Sequence, residues 1–307
     1  MSQTQIAIVG AGLIGRAWAY VFARAGSTVR VWDADPAALD RLPAEIAAMI
    51  DAAGGDPAIA ARIRAVPTLA EALDGAALVQ ENGPERIEVK RELFAAMDAA
   101  AAPGTILASS SSALPASAFS AGLPGAARCL VAHPVNPPHV VPVVELCPSP
   151  ATDPAVMARA QAIYAAAGQV PVLLSREIEG FVLNRLQAAL LAEAMRLVDE
   201  GLCTVEGLDD TVKHGLGRRW AIMGPLETIS LNAPDGVPDY IRRYGPMLAG
   251  LADSCAQGEA FTASAAERVA AAFPQRATPE GVRAGTAWRD AELAALDTHL
   301  RSRARKD

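Results

Sequence analysis

Apolar residues in the first half of the chain gather in short runs at 6–9, 29–32, 77–80, 105–108, 129–132, 141–146 and 170–174. Runs of this length, bounded by Gly, Pro, Ser or Asp, read as buried strands. The stretches between them at 37–53, 87–101 and 154–167 are rich in Ala and Leu and read as helices. Alternation of this kind predicts an α/β domain, a Rossmann-like, doubly wound and mostly parallel sheet with helices on both faces. The run at 141–146 follows its predecessor too closely for a helical crossover, so an antiparallel pair is expected there.

Beyond residue 175 the pattern changes. Residues 179–200, 205–213, 225–231, 238–257 and 278–300 read as helices, with no convincing strand among them. We expect an N-terminal sheet domain over 1–177 and an all-helical C-terminal domain over 178–307. The first of these helices is apolar around much of its circumference, through Phe181, Val182, Leu183, Leu186, Leu190, Leu191, Met195 and Leu197. A helix of that kind is expected to be buried, in its own domain or in a subunit interface.

Composition narrows the partners. A chain of 307 residues has room for two domains, and 27 basic against 34 acidic residues leave a net charge of −7. Neither nucleic acid nor an anionic membrane is expected as a partner. The most apolar helix carries Arg185, Glu193 and Arg196, which excludes a simple membrane span. Cys129, Cys147, Cys203 and Cys255 are scattered, with no Cys-x-x-Cys and no histidine at metal spacing. They are expected to be buried free thiols in the cytoplasm, without a metal site. With Met1 to Thr4 leading directly into the first strand, no charged or apolar leader is expected.

Candidate chemistry begins where that strand ends, on Gly10-Ala11-Gly12-Leu13-Ile14-Gly15. Gly10 serves the tight turn. Gly12 lets backbone approach a pyrophosphate drawn to the helix N-terminus, and Gly15 lets helix and strand pack closely. The second strand ends on Asp33, eighteen residues after Gly15. A carboxylate there accepts hydrogen bonds from ribose hydroxyls and repels a 2′-phosphate, so NAD is expected rather than NADP.

Four further polar sites stand in apolar surroundings: the run Ser109–Ser112, His133, Glu145 and Asn184. Each has a plain reading as a loop or helix cap, a structural hydrogen-bonder, a paired carboxylate or a surface residue. Together they describe a site. A histidine with a carboxylate partner removes a proton from a hydroxyl, and beside nicotinamide it lets proton and hydride leave an alcohol together.

These motifs, with Glu85-Arg86-Ile87-Glu88-Val89-Lys90, His133-Pro134-Val135-Asn136-Pro137-Pro138, Val144-Glu145-Leu146 and the segments 180–186, 215–220 and 224–227, resemble the 3-hydroxyacyl-CoA dehydrogenase family. The resemblance spans nearly the whole chain and is closest to the branch of L-gulonate 3-dehydrogenase, the lambda-crystallin branch. It implies His133 as catalytic base, Glu145 as its orienting carboxylate, and Ser112 and Asn184 as the side chains holding the substrate hydroxyl and carbonyl. It also implies NAD contacts at Leu13, Ile14, Asp33, Glu85, Lys90, Ser112 and Asn136, and a homodimer joined through the helical domain. Without the resemblance, Glu85 and Lys90 read as a surface pair at a helix start.

One departure bears on the substrate. Members acting on acyl-CoA usually carry lysines after the second strand, where CoA phosphates bind; here 37–66 holds no lysine and only Arg41, Arg62 and Arg64. The expected substrate is therefore a small free 3-hydroxy acid of the L-gulonate kind. Alternatives are 3-hydroxybutyryl-CoA and carnitine. A free acid needs a cation, and Arg219 is the candidate, unless it pairs with an acidic neighbour or the other subunit. A non-catalytic, bulk structural role is the competing class; the presence of both His133 and Glu145 speaks against it.

Overall fold

The computed structural model describes residues 4–302, in two compact units: residues 4–182 with Asp290–His299, and Leu183–Arg289 with the helix end at 300–302. The first unit holds strands β1 (Gln5–Val9), β2 (Thr28–Trp32), β3 (Ile63–Ala65), β4 (Leu78–Glu81), β5 (Ile106–Ser109), β6 (Cys129–Pro134), β7 (Val143–Pro148) and β8 (Val170–Leu173). They form one sheet in the order β3-β2-β1-β4-β5-β6-β7-β8. Pairing is parallel throughout except β6 with β7, which is antiparallel with His133 opposite Glu145. The expected antiparallel pair is present. The sequence reading missed β3, because three residues of an edge strand are too few to show a period.

Alternation along the strands divides the core. Ile6, Ile8, Val29, Val31, Leu78, Ile106 and Leu130 pack on one face under α1 (Leu13–Arg24), α2 (Pro36–Ala52) and α6 (Pro154–Ala166), around Trp18, Phe22 and Tyr164. Ala7, Val9, Val79, Leu107, Val131 and Cys147 face the other way. There they meet α3 (Leu69–Leu73), α4 (Ile87–Ala100) and α5 (Ala116–Ser120), together with Phe181. Two of these helices share a start signal. Asp35 and Asp153 each accept a hydrogen bond from the backbone N–H two residues on, and each is followed by proline in the first turn. That combination satisfies an orphan N–H and presets φ, which is why the chain turns helical there.

The second unit is helical: α7 (Leu183–Asp199), α8 (Val205–Asp210), α9 (Gly217–Trp220), α10 (Pro225–Ser230), α11 (Gly236–Ala252), α12 (Ala263–Ala272) and α13 (Pro279–Ser302), which runs from this unit into residues grouped with the first. A π-helical turn over Thr211–Leu216 joins α8 to α9. Helix α12, Ala-rich and flanked by polar residues, was not foreseen. Two expectations are met only in part within the single chain. Helix α7 is not buried in the single chain: only Ala192 and Val198 are, while Leu186, Leu190 and Leu191 stand exposed. Of the four free cysteines only Cys129 and Cys147 are buried, and Cys255 is exposed. The first compact unit extends to Val182, past residue 177, because Phe181 packs into its core.

Candidate active site

The parallel strands deliver their ends to one level. Register aligns Trp32, Val9, Glu81, Ser109 and Val131, and the next residues are Asp33, Gly10, Asn82, Ser110 and Ala132. The winding direction reverses between β1 and its two neighbours, β2 and β4, and in open α/β sheets ligands bind beyond the strand ends at such a point.

The glycines there divide by role. Gly10 has φ of +98°, and an added Cβ would sit 2.9 Å from the Asn82 carbonyl oxygen. A Cβ on Gly15 would lie 1.8 Å from the Gly10 carbonyl oxygen, so both glycines are demanded by the fold. Gly12 is different: a Cβ there meets no protein atom within 4 Å. It caps α1 without a side-chain partner, beside Leu13, which is exposed, and Ile14. Bare backbone N–H groups at a helix start, reached over a residue with no side chain, fit a pyrophosphate. Asp33 ties this turn together. Its Oδ2 accepts from the Ala11 N–H at 2.6 Å and its Oδ1 from the Asp35 N–H at 2.8 Å, holding the glycine turn to the tip of β2.

At the end of β5 a charged cluster lies inside the protein. Lys90 is 1% exposed, and its Nζ reaches both Glu81 carboxylate oxygens at 3.1 and 2.9 Å, Ser109 Oγ at 3.3 Å and Glu85 Oε2 at 3.4 Å. It is thus no surface residue, and its ammonium is satisfied within the fold. Glu85 Oε1 accepts from Ser111 Oγ at 2.6 Å and from the backbone N–H groups of Ser112 and Ala113 at 3.0 Å. Burial would raise the Glu85 carboxyl, but the Ser111 hydroxyl, the Lys90 charge and the backbone N–H groups outweigh it and hold it below the usual range. Glu85 therefore fixes the loop that carries the exposed Ser112. Beside it Ser110 Oγ donates to Asn82 Oδ1 and accepts from Gln80 Nε2, both at 2.7 Å, and from Trp18 Nε1 at 3.2 Å. Glu81, Gln80 and Asn82 escaped the sequence reading. Their only signal was polarity at the end of an apolar strand.

The pairing of β6 with β7 places His133 Nδ1 2.9 Å from Glu145 Oε2, with both residues buried. An ionised carboxylate only accepts, so Nδ1 carries the proton and Nε2 the basic lone pair. Asn136 follows on the exposed loop after β6, ahead of a cis peptide bond to Pro137. Asn184, half-buried on α7, and Arg219, exposed on α9, belong to the second unit. Arg219 forms no ion pair with any described residue of this chain.

Two family models cover most of the chain: the 3-hydroxyacyl-CoA dehydrogenase NAD binding domain over residues 5–178 and the 3-hydroxyacyl-CoA dehydrogenase C-terminal domain over 180–271. The chain is 44% identical to the bovine (Bos taurus) lambda-crystallin homolog over 303 residues, 95% of this chain and 94% of that one. It is 39% identical to an L-carnitine dehydrogenase of Streptomyces griseus over 249 residues, 80% of this chain and 74% of the relative. Among solved structures, an NAD+-dependent 5-formyl-3-hydroxy-2-methylpyridine 4-carboxylic acid 5-dehydrogenase superposes with a TM-score of 0.83 at 27% identity, covering 99% of this chain and all of the other. With a Gly-rich turn fitted to a dinucleotide and both halves of the family pattern present, this chain belongs to the 3-hydroxyacyl-CoA dehydrogenase family, a family of NAD-dependent oxidoreductases acting on hydroxyl groups.

Proposed function

We propose that this enzyme oxidises the 3-hydroxyl of a small free hydroxy acid, L-gulonate or a close relative, to the 3-keto acid. The observation that carries the reading is the buried His133–Glu145 pair on the antiparallel strands β6 and β7 of a sheet whose β1 ends in a dinucleotide-type glycine turn. His133 Nε2 takes the hydroxyl proton, and Glu145 stabilises the imidazolium that results. NAD, held at the glycine turn and Asp33, would supply the acceptor for the hydride on the carbon that bears this hydroxyl. Ser112 and Asn184 hold the substrate's oxygens, and Asn136 supports the nicotinamide end.

Three observations support a free acid over a thioester. The segment 37–66 has no lysine for CoA phosphates. The structural relative matched over its whole length is described as acting on a free carboxylic acid. Arg219 is exposed and makes no ion pair with a described residue of this chain, which leaves its guanidinium to a carboxylate. The L-carnitine dehydrogenase relative favours a second reading, in which the acid also bears a quaternary ammonium group.

A screen of L-gulonate, L-carnitine and 3-hydroxybutyryl-CoA with NAD separates these readings. L-Gulonate is expected to be turned over well and the thioester poorly, and Arg219→Met is expected to raise KM for the acid while leaving NAD affinity alone. Efficient oxidation of the thioester with no activity on either acid would overturn the proposal.

Cofactor choice is expected to rest on Asp33. Replacing Asp33 with serine and Ala34 with arginine should weaken NAD and improve NADP. Because Asp33 also holds Ala11 and Asp35, some thermal stability should be lost as well. Equal wild-type efficiency with both cofactors would argue against this role.

We further propose a cytoplasmic homodimer joined through the helical unit. Leu186, Ile222, Leu226, Leu231, Met247 and Leu251, all in the helical unit, are each more than half exposed in the single chain, and such apolar side chains suit a face covered by a second copy. Light scattering should give twice the 31.8 kDa chain mass. A monomer at micromolar concentration would count against this assembly.

A further inference from the structure

We infer that the left-handed turn at Phe181 is a positioning element for the His133–Glu145 pair, its ring setting the imidazole and its neighbouring N–H setting the carboxylate. This rests on the proposed role of His133.

Phe181 has φ of +49°, the one non-glycine residue among those described with a positive φ. Left-handed backbone is unfavourable for a residue with a Cβ, so it persists only where the surroundings demand it. Glycine would be free of that cost, and Gly180 beside it already uses the same region, with φ of +75°. Something other than turn geometry therefore keeps a phenyl ring here.

Its surroundings show what does. The ring is 1% exposed and lies 5.2 Å from the His133 ring, at an interplanar angle of 35°. The same turn brings the Val182 N–H to Glu145 Oε1 at 2.8 Å, while Oε2 faces His133 Nδ1 at 2.9 Å. One oxygen of the carboxylate is thereby anchored to backbone, which leaves the other aimed at the imidazole. The histidine is gripped from two sides: by Glu145 along its Nδ1 edge and by Phe181 near its face. Orientation of a general base to within a fraction of an ångström is what such contacts supply, and its loss is expensive. A ring in this place also keeps water from the Nδ1–H···Oε2 hydrogen bond.

A purely structural Phe181 would stabilise the core and nothing more. Two variants and one spectroscopic signal distinguish the cases. Phe181→Leu keeps apolar bulk and removes the ring; Phe181→Tyr keeps the ring. In folded Phe181→Leu enzyme, kcat should fall at least about tenfold with NAD affinity unchanged, as expected when a reacting group is misplaced. Phe181→Tyr should recover most of that loss. The downfield Nδ1–H proton resonance, identified by its disappearance in His133→Asn, should be sharp in wild-type and Phe181→Tyr enzyme and broadened by water exchange in Phe181→Leu. Should Phe181→Leu not fold, Phe181→Gly, which removes ring and backbone cost together, carries the same two measurements.

Wild-type kcat in the folded variant would overturn the inference, and so would a lowered kcat with an unchanged resonance, which would mark a core residue only. If instead His133→Asn retained turnover, the base assignment would fail. The resonance would then still report whether Phe181 shields the pair.

Discussion

His133→Asn is expected to lower turnover at least about a hundredfold while NAD binds as before, the loss typical of a positioned general base. Asparagine occupies a similar volume and its amide can still donate to Glu145 Oε2, so the buried carboxylate is not left alone. What it lacks is a basic nitrogen where Nε2 stands. The defect therefore belongs in kcat, and cofactor affinity, which we assign to the glycine turn and Asp33 at the ends of β1 and β2, should be untouched. Glu145→Gln should lower turnover less, because the proton acceptor remains and only its orientation and charge balance suffer. Fluorescence titration of NAD beside steady-state rates checks both. Turnover within a few fold of wild type in His133→Asn would remove His133 from the mechanism.

Lys90→Met is expected to destabilise the first unit by about 3–5 kcal/mol, the penalty for leaving a buried charge without its partner. Glu81 is fully buried, and besides Lys90 it is held by the Ser109 hydroxyl and the Gly83 N–H. Neutral neighbours cannot balance an ionised carboxylate in that place. Converting Glu81 to glutamine in the same chain should recover much of the loss, since the amide oxygen can still accept from Gly83 and no buried charge remains. Urea titration of the wild type and the single and double variants makes the comparison, and additive losses would show that the two charges are not coupled. The variant should also raise KM for substrate, through Glu85 and the loop bearing Ser112. The effect of Lys90 on ligand binding is then indirect, which neither reading of the sequence had foreseen.

Much of this molecule is written in local pattern. Strands β1, β4, β5 and β6 were legible because each is buried on both faces and so reads as a mostly apolar run, and β2 because the buried Val29 and Val31 alternate with half-buried residues. The dinucleotide turn was legible because glycine, helix start and Asp33 answer to a single backbone geometry. His133 and Glu145 showed as polar residues in strands that otherwise exclude them. That the two face each other is a matter of antiparallel register, and only the fold supplies it. The cluster of Lys90, Glu81, Ser109 and Glu85 joins residues from β4, the start of α4 and β5, and no sequence period links them. Phe181 looked like one more apolar residue on a helix, because a backbone turned left-handed leaves no mark on composition. Helix α7 makes the same point in reverse: the sequence determined that its apolar side would be covered, and the single chain leaves that side to be covered by something else. Sequence fixes what each residue needs from its surroundings, through periodicity, charge and conformational preference. Which distant residue meets that need is decided by the long-range pairing of strands, where the driving force is shared by the whole core and carried by no local motif.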